Sequence, residues 1–208
     1  MTCRSQLLVF FNSPNKQFPN EMDTNMKTFH RDIKTKRLNL TKFFQEDVSR
    51  VTSLVNHREI ASTTANIPHP YKEEMAVEWI GQQEQTLKQG KNVVWAIRLE
   101  ESSELVGAMG LELNERHHHG ELGFWIGRNY WNQGICTEAA QAVVSFGFKE
   151  IGLNKIYAYH ICRNPGSGRV MKKIGMIREG RLNQHFFKWD KYEDAELYGL
   201  LAKDCTGF

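Results

Sequence analysis

The chain has 208 residues, of which 40% are hydrophobic and 25% are charged, proportions that are ordinary for a globular protein. Lysine and arginine (27) exceed aspartate and glutamate (24) by a net charge of only +3, which by itself gives no argument for nucleic-acid binding. No apolar run approaches the roughly 20 residues that a membrane helix needs, so we expect neither a membrane partner nor a direct nucleic-acid partner.

The first 30 residues are expected to be a disordered tail. The apolar run at 7–11 is shorter than the roughly 7–15 residues of a signal-peptide core, and no small-x-small cleavage site follows it. Met26 is an alternative start of the chain. Residues 31–208 contain no internal repeat and no linker, and they are expected to form one domain. Reduced thiols and a cytoplasmic location are favoured because no C-x-x-C pair occurs among the four cysteines, Cys3, Cys136, Cys162 and Cys205.

Hydrophobic periodicity predicts the secondary structure in chain order. A strand at 37–43 precedes helices at 45–57 and 73–90, a hairpin of strands at 93–99 and 104–114, a strand at 120–127 and a helix ending at Glu150. A strand at 154–162, a helix at 164–175 and two strand runs around a turn at 190–191 follow. In the helix at 164–175, Asn164 suits the N-cap, Pro165 the first position and Gly175 the end. This order indicates an α+β fold with a mixed sheet, and not a doubly wound parallel sheet.

The stretch YWNQGICTEAA (130–140) places a glycine turn between an aromatic strand end and the start of a helix. Gly134 permits a close approach of the backbone. The free N–H groups through Ile135, Cys136 and Thr137 then suit an anion such as phosphate. A junction of this kind is more often a simple connection, so the turn alone leaves both interpretations open.

Four motifs in order give that turn a context: ELGFWI (121–126), WNQGICTEA (131–139), NPGSGRVMKKIGM (164–176) and DAELY (194–198). Together they resemble the acyl-CoA site of the GNAT superfamily of N-acyltransferases. Within it the chain looks most like the RimJ/RimL branch, which acetylates the N-terminal amines of proteins. The resemblance covers about residues 34–204 and is far more specific for the superfamily than for the acceptor.

The resemblance implies a GNAT-like mixed, mostly antiparallel central sheet with a splayed strand pair and flanking helices. Acetyl-CoA would lie where the strands at 120–127 and 155–162 separate, and no metal is implied. Backbone groups at 124–126 would bind the pantetheine amides, the turn at 133–137 would hold the pyrophosphate, and Asn164 would contact the pantetheine arm. The residues expected to bind acetyl-CoA are Phe124, Trp125, Ile126, Asn132, Gln133, Gly134, Ile135, Cys136, Thr137 and Asn164.

The same resemblance implies direct attack of the amine on the thioester, with no acyl group on the enzyme. Glu121 would be the base, acting directly or through water, although an exposed strand glutamate is an equal alternative. Ser167 would donate a hydrogen bond to the sulfur of CoA, and its alternative is a simple capping group.

Several positions depart from the family pattern. Asn132 and Cys136 stand where small residues are usual, Met176 replaces a phenylalanine, and Gly168 should weaken its helix by about 0.5–1 kcal/mol relative to alanine. Because Cys136 lies at a helix N-terminus, we expect a favoured thiolate that reacts faster than the other cysteines outside the tail.

The acceptor stays open at this point. A protein N-terminus competes with a small amine, and Glu112, Glu115, Glu193 and Asp194 are candidate acids of a groove for a cation. A homodimer is an open alternative. Another class is a non-catalytic acyl-CoA sensor. An RNA- or ribosome-associated protein is a further alternative, and the small net charge argues against it. A dinucleotide-binding oxidoreductase is weaker still, because no G-x-G-x-x-G follows a first strand. The run His117–His119 gives little argument for a metal, since adjacent side chains of an extended segment diverge.

Overall fold

The computed structural model describes residues 31–205, and the expectations for the N-terminal tail, its cysteine and an alternative start lie outside them. In this part of the chain the strands are β1 (Ile33–Lys34), β2 (Leu38–Thr41), β3 (Asn92–Leu99), β4 (Leu105–Asn114), β5 (His119–Ile126), β6 (Lys155–Ile161), β7 (Ile177–Lys188) and β8 (Lys191–Leu201). The α-helices are α1 (Val48–Val55), α2 (Arg58–Thr63), α3 (Glu73–Lys88), α4 (Ile135–Lys149) and α5 (Pro165–Lys173).

The eight described strands form one sheet in the order β1-β2-β3-β4-β5-β6-β8-β7. Every neighbouring pair is antiparallel except β5 and β6, which run parallel. The long crossover through α4 makes this parallel pair possible, because parallel neighbours cannot be joined by a tight turn. The predicted mixed, mostly antiparallel sheet of an α+β fold is thus confirmed.

Helices cover both faces of the sheet. On one face α4 and α5 pack through side chains such as Val143 and Met171 against Trp95 and Ile156. On the other face α1, α2 and α3 pack on the sheet near Ala96, Ala108 and Trp125. Alternation along each strand sends successive side chains to opposite layers, so the apolar runs of the inner strands supply both cores.

Parallel pairing between β5 and β6 is short. It joins residues His119, Gly120 and Glu121 to Lys155, Ile156 and Tyr157, and it ends there although both strands continue. The splayed strand pair implied by the resemblance is therefore present. We call the space between the diverging halves, residues 122–126 and 158–161, the strand gap.

Some elements differ from the sequence expectation. The strand before the final turn begins at Ile177, well before the apolar run at 186, because β7 is an edge strand whose residues are mostly exposed and polar. Helix α2 was not predicted, since its six residues bury only Ile60 and Ala61. The helix expected over 45–57 is a short 3-10 turn followed by α1, which ends at Val55.

Candidate active site

The backbone of β5 turns alternate residues toward the strand gap. The N–H of Gly127 donates to the carbonyl of Val106 at 2.8 Å, opposite it in the register of β4 and β5. Since hydrogen-bonded pairs alternate in an antiparallel ladder, Trp125 also pairs with β4, whereas Phe124 and Ile126 point their backbone groups into the gap. The prediction of pantetheine contacts in this strand therefore rests on Phe124 and Ile126.

One of these groups already has a partner. The indole Nε1–H of Trp131 donates to the carbonyl of Ile126 at 2.7 Å. This bond ties the turn after β5 to the edge of the gap, and the N–H of Ile126 and both backbone groups of Phe124 point into the strand gap. Trp125 serves a different purpose, because its buried side chain belongs to the core under α1–α3.

The turn before α4 has the backbone of an anion site. Asn132 has φ 60° and Gly134 has φ 79°, so two residues adopt the left-handed conformation just before the helix. The N–H of Glu138 makes the first helical bond, to the carbonyl of Gly134 at 3.0 Å. The N–H groups of residues 135–137 precede that bond and have no acceptor within the helix, which is the arrangement that binds phosphate.

Arg37, which the sequence did not single out, holds this turn in place. Its Nε donates to Glu138 Oε2 at 2.6 Å and its Nη1 to the carbonyl of Gln133 at 3.0 Å, while Thr35 Oγ1 donates to Glu138 Oε1 at 2.6 Å. Burial raises the pKa of the Glu138 carboxyl, but the hydrogen bonds from Thr35 and Arg37 and the positive charge of Arg37 together lower it below its usual value. Arg37 thereby adds positive charge beside the turn.

The expectation of a favoured thiolate at Cys136 is wrong. The side chain packs against the core beneath α4, and burial raises the pKa of its thiol to about 12. Burial disfavours the charged form and here outweighs the helix terminus. Cys136 stays in the turn as a small side chain and is protonated at neutral pH.

Helix α5 begins beside the other end of the gap. Asn164 is its N-cap, Pro165 its first residue, and Gly175, with φ 84°, follows its end, as the sequence predicted. Asn164 Nδ2 donates to Ser167 Oγ at 2.9 Å, and Asn164 Oδ1 accepts from the N–H of Ser167 at 3.4 Å. Because Ser167 Oγ accepts this bond, its own hydroxyl hydrogen is available to a ligand.

Gly168, one of the departures from the family pattern, has a packing reason. A Cβ on it would lie 2.7 Å from Nε2 of His160, whose ring is buried in β6 beneath the helix. The glycine lets α5 approach β6 closely.

Glu121 lies on the opposite side of the gap from α4. It shares a sheet face with Trp125, four residues further along β5, and it is the last residue of β5 that pairs with β6. Burial raises the pKa of the Glu121 carboxyl to about 7, and a hydrogen bond from Tyr157 partly opposes this shift. A group that titrates near neutral pH at the point where two strands separate is suited to act as a base.

A small recess of about 10 Å³, open to solvent, lies on this face beside Glu112, which is opposite Glu121 in the register. Gly110 and Gly123 lie opposite each other in the register of β4 and β5 and form its floor. Val94 and Ala108 line one side and Glu112 lines the other. Val94 packs close over Gly110, where a Cβ would lie 2.9 Å from Val94 Cγ2, and no periodicity in the sequence reveals this contact between strands.

The other candidate acids of the acceptor groove lie elsewhere. Glu193 pairs with Arg163 at 2.9 Å, Asp194 pairs with Arg181 at 2.5 Å, and Glu115 is exposed in the turn after β4. Among residues 31–205, no group of three or more His, Cys, Asp or Glu side chains is arranged to hold a metal ion. None of the helices described here is long and apolar enough to cross a membrane.

The topology brings the predicted residues to one edge of the sheet. The carboxyl ends of parallel neighbours lie at the same edge, so the turn at 131–134, after β5, and the turn at 162–164, after β6, flank the strand gap. Glu121 lies within the sheet, on the face away from α4. The arrangement places a turn with free N–H groups, backbone groups that point into the strand gap, the Ser167 hydroxyl and the Glu121 carboxyl around the separating strands.

Comparison with known proteins agrees with this geometry. The family model described as "Acetyltransferase (GNAT) domain" matches residues 37–177. The N-acetyltransferase YoaA of Bacillus subtilis (strain 168), described as uncharacterized, is 25% identical over 170 residues, which are 81% of this chain and 96% of YoaA.

Solved structures show the same fold. An acetyltransferase (GNAT family) from Bacillus anthracis is 28% identical, with a TM-score of 0.74 over 83% of this chain and 99% of its own. RimL, a ribosomal L7/L12 alpha-N-protein acetyltransferase in complex with coenzyme A, has a TM-score of 0.76 at 16% identity, over 82% of this chain and 98% of its own.

Proposed function

The chain belongs to the acetyltransferase (GNAT) domain family, and we propose that it transfers the acetyl group of acetyl-CoA to the α-amino group at the N-terminus of a protein or peptide. The observation that carries this proposal is the strand gap between β5 and β6, with the turn of Gly134 at its edge and Glu121 at the point of separation. A sheet that only packs against helices needs no separation of parallel strands, and an ordinary helix start needs no left-handed glycine turn beside such a gap.

The residues present fit acetyl-CoA as the cosubstrate. The left-handed turn at 132–134 presents free N–H groups for the pyrophosphate, with the guanidinium of Arg37 beside it. Phe124 and Ile126 offer backbone groups for the two amides of the pantetheine arm. Asn164 and Ser167 at the start of α5 are expected near the end of that arm, where the thioester sulfur would lie.

The chemistry follows from these positions. The acceptor enters as an ammonium ion and gives one proton to Glu121, directly or through water. The neutral amine attacks the thioester carbon and forms the C–N bond, and the C–S bond breaks. The second proton of the amine balances the leaving thiolate, which the hydroxyl of Ser167 stabilises. The net products are the amide, the thiol of CoA and one proton, which Glu121 releases to solvent.

The pKa of Glu121 supports an α-amine as the acceptor. A base with a pKa of about 7 lies about 1 unit below an α-ammonium and about 3 units below a lysine-type ammonium. Each pKa unit corresponds to about 1.4 kcal/mol, so Glu121 deprotonates a lysine-type ammonium at a cost about 3 kcal/mol higher than for an α-ammonium. The RimL neighbour, named for α-N-protein acetylation, is in keeping with this choice.

A turnover assay across a panel of amines tests the proposal. Release of the CoA thiol is followed with peptides whose lysines are blocked, with the same peptides blocked at the N-terminus, and with alkyl diamines. We expect turnover only with a free α-amine. Faster turnover with diamines identifies a small-molecule acetyltransferase, and tight CoA binding without turnover on any amine identifies an acyl-CoA sensor. Either result contradicts the proposed acceptor.

A further inference from the structure

The acceptor side of the active site contains a carboxyl group with no role so far. Resting on the proposed function, we propose that Glu112 is a specificity-determining residue of this reaction: with Glu121 it holds the incoming acceptor as an ammonium ion, and it thereby selects cationic primary amines over neutral nucleophiles. It acts by binding and orienting the acceptor, and Glu121 takes the proton.

The sheet register places the two carboxyl groups together. Glu112 on β4 lies directly opposite Glu121 on β5. The ladder bond from Gly127 to Val106 makes this a hydrogen-bonded pair, for which Cα atoms are about 5.5 Å apart and both side chains leave the same face. Like charges directly opposite each other destabilise a sheet, so this pair is relieved either by a shared proton or by a bound cation.

Glu112 also borders the space that an acceptor would occupy. It lines the recess above Gly110 and Gly123, and it is only partly exposed. Ala108 and Val94 also line the recess, which has room for about one water-sized group such as an ammonium head. An ammonium group seated in it would contact Glu112.

The neighbours of the pair leave its charge uncompensated. Within residues 31–205 neither carboxyl forms an ion pair. The nearest cation along β6, Lys155, is already paired with Glu179 of β7 at 2.7 Å. The amide of Asn92 on β3 lies opposite Glu112 in the register. The other polar groups near the pair include the hydroxyls of Tyr157 and Tyr159 on β6 and the ring of His119, which contacts Tyr157 at 6.2 Å between centroids.

Protonation of the pair agrees with this role. Burial and the adjacent Glu121 raise the pKa of the Glu112 carboxyl to about 8. Two carboxyl groups this close titrate as a pair, and near neutral pH they share protons while retaining negative charge. An ammonium ion replaces a shared proton and supplies the positive charge that the described side chains do not.

The aromatic side chains extend the same surface. The rings of Tyr157 and Tyr159 meet edge to face, with their centroids 5.6 Å apart, and the centroids of the His185 and Tyr159 rings are 5.3 Å apart. Ring faces attract cations, so the wall beside the carboxyl pair favours the same class of ligand. Glu115, which is exposed in the neighbouring turn and belongs to neither surface, provides a matched control.

The test compares Glu112→Gln, Glu112→Asp and Glu115→Gln. With a peptide α-amine as the acceptor, we expect Glu112→Gln to raise the acceptor KM about tenfold or more, with the acetyl-CoA KM unchanged. Glu112→Asp should restore most of the acceptor affinity, and Glu115→Gln should match the wild type. An unchanged acceptor KM in Glu112→Gln overturns the proposal.

A readout independent of turnover separates this proposal from the proposed function. Carbon-13 spectra of labelled glutamate carboxyls follow Glu121 in the wild type and in Glu112→Gln, with methylammonium chloride as the probe and sodium chloride as the control. We expect Glu121 to lose most of its response to methylammonium in the variant. An identical response to methylammonium in the two proteins overturns the pair even where turnover is observed. Absence of turnover in the wild type overturns only the proposed function.

Discussion

Replacement of Gly134 by alanine separates the backbone conformation of the anion turn from general stability. Gly134 has φ 79°, where a side chain costs about 1–2 kcal/mol. Gly152, in the loop between α4 and β6, has φ 78°, and no heavy atom lies within 4 Å of the position that a Cβ would take, so Gly152→Ala carries the same backbone cost without a clash. Both variants should lower the free energy of unfolding by about 1–2 kcal/mol.

Only Gly134→Ala should affect CoA. Its Cβ would lie 3.2 Å from Nη2 of Arg37, which must move, and that side chain also holds the carbonyl of Gln133. The turn would then lose the orientation of at least one N–H group toward the pyrophosphate. A hydrogen bond to a charged group contributes about 1.5–3 kcal/mol, which corresponds to a loss of CoA affinity of roughly tenfold to a hundredfold.

Calorimetric titration of both variants and the wild type with CoA measures this difference, and chemical denaturation measures stability. We expect equal losses of stability and a weaker Kd for Gly134→Ala alone. If the two variants bind CoA equally well, the turn before α4 does not hold the phosphates and the reasoning fails.

Three further changes test the remaining roles. Glu121→Gln should lower kcat by about 10²–10⁴-fold. The wild-type rate should decrease as the pH is lowered through about 7, because the Glu121 carboxyl gains its proton there. A variant whose pH–rate profile keeps this acidic decrease contradicts the assignment. Ser167→Ala should lower kcat with little change in the Kd of acetyl-CoA, as single-turnover and binding measurements would show; wild-type kcat excludes the donor role. Since folding raises the pKa of Glu112 from 4.5 to about 8, the folded state binds the extra proton and loses stability as pH rises through this range. Glu112→Gln should therefore gain stability relative to the wild type between pH 5 and pH 9 in denaturant titrations, and a constant difference would contradict the shift.

Local chemistry made much of this site predictable from the sequence. The helix start after Gly134, the cap by Asn164 and the end of α5 at Gly175 depend on backbone preferences of single residues, and the structure has all three. The strand gap was implied by the family resemblance, and the short pairing of β5 with β6 confirms it.

The features that the sequence did not reveal depend on contacts between distant segments. Arg37 lies 101 residues from Glu138, and no local pattern connects them. The register sets Gly110 against Gly123 at the recess, and the same register selects Glu112 from among the acidic candidates. Cys136 shows the limit of a local argument, because a helix terminus favours the thiolate, but packing against the core decides its pKa.

Acetyl transfer to a defined peptide tests the central claim most directly. The protein is mixed with acetyl-CoA and a peptide that carries one free α-amine, and the CoA thiol and the N-acetylated peptide are quantified together, with the modified nitrogen located by fragmentation. We predict equal amounts of both products, acetylation at the α-nitrogen, no acetyl group on the protein when the peptide is left out, and no thiol release with the N-terminally blocked peptide. Binding of CoA without formation of either product on any amine tested would contradict the account.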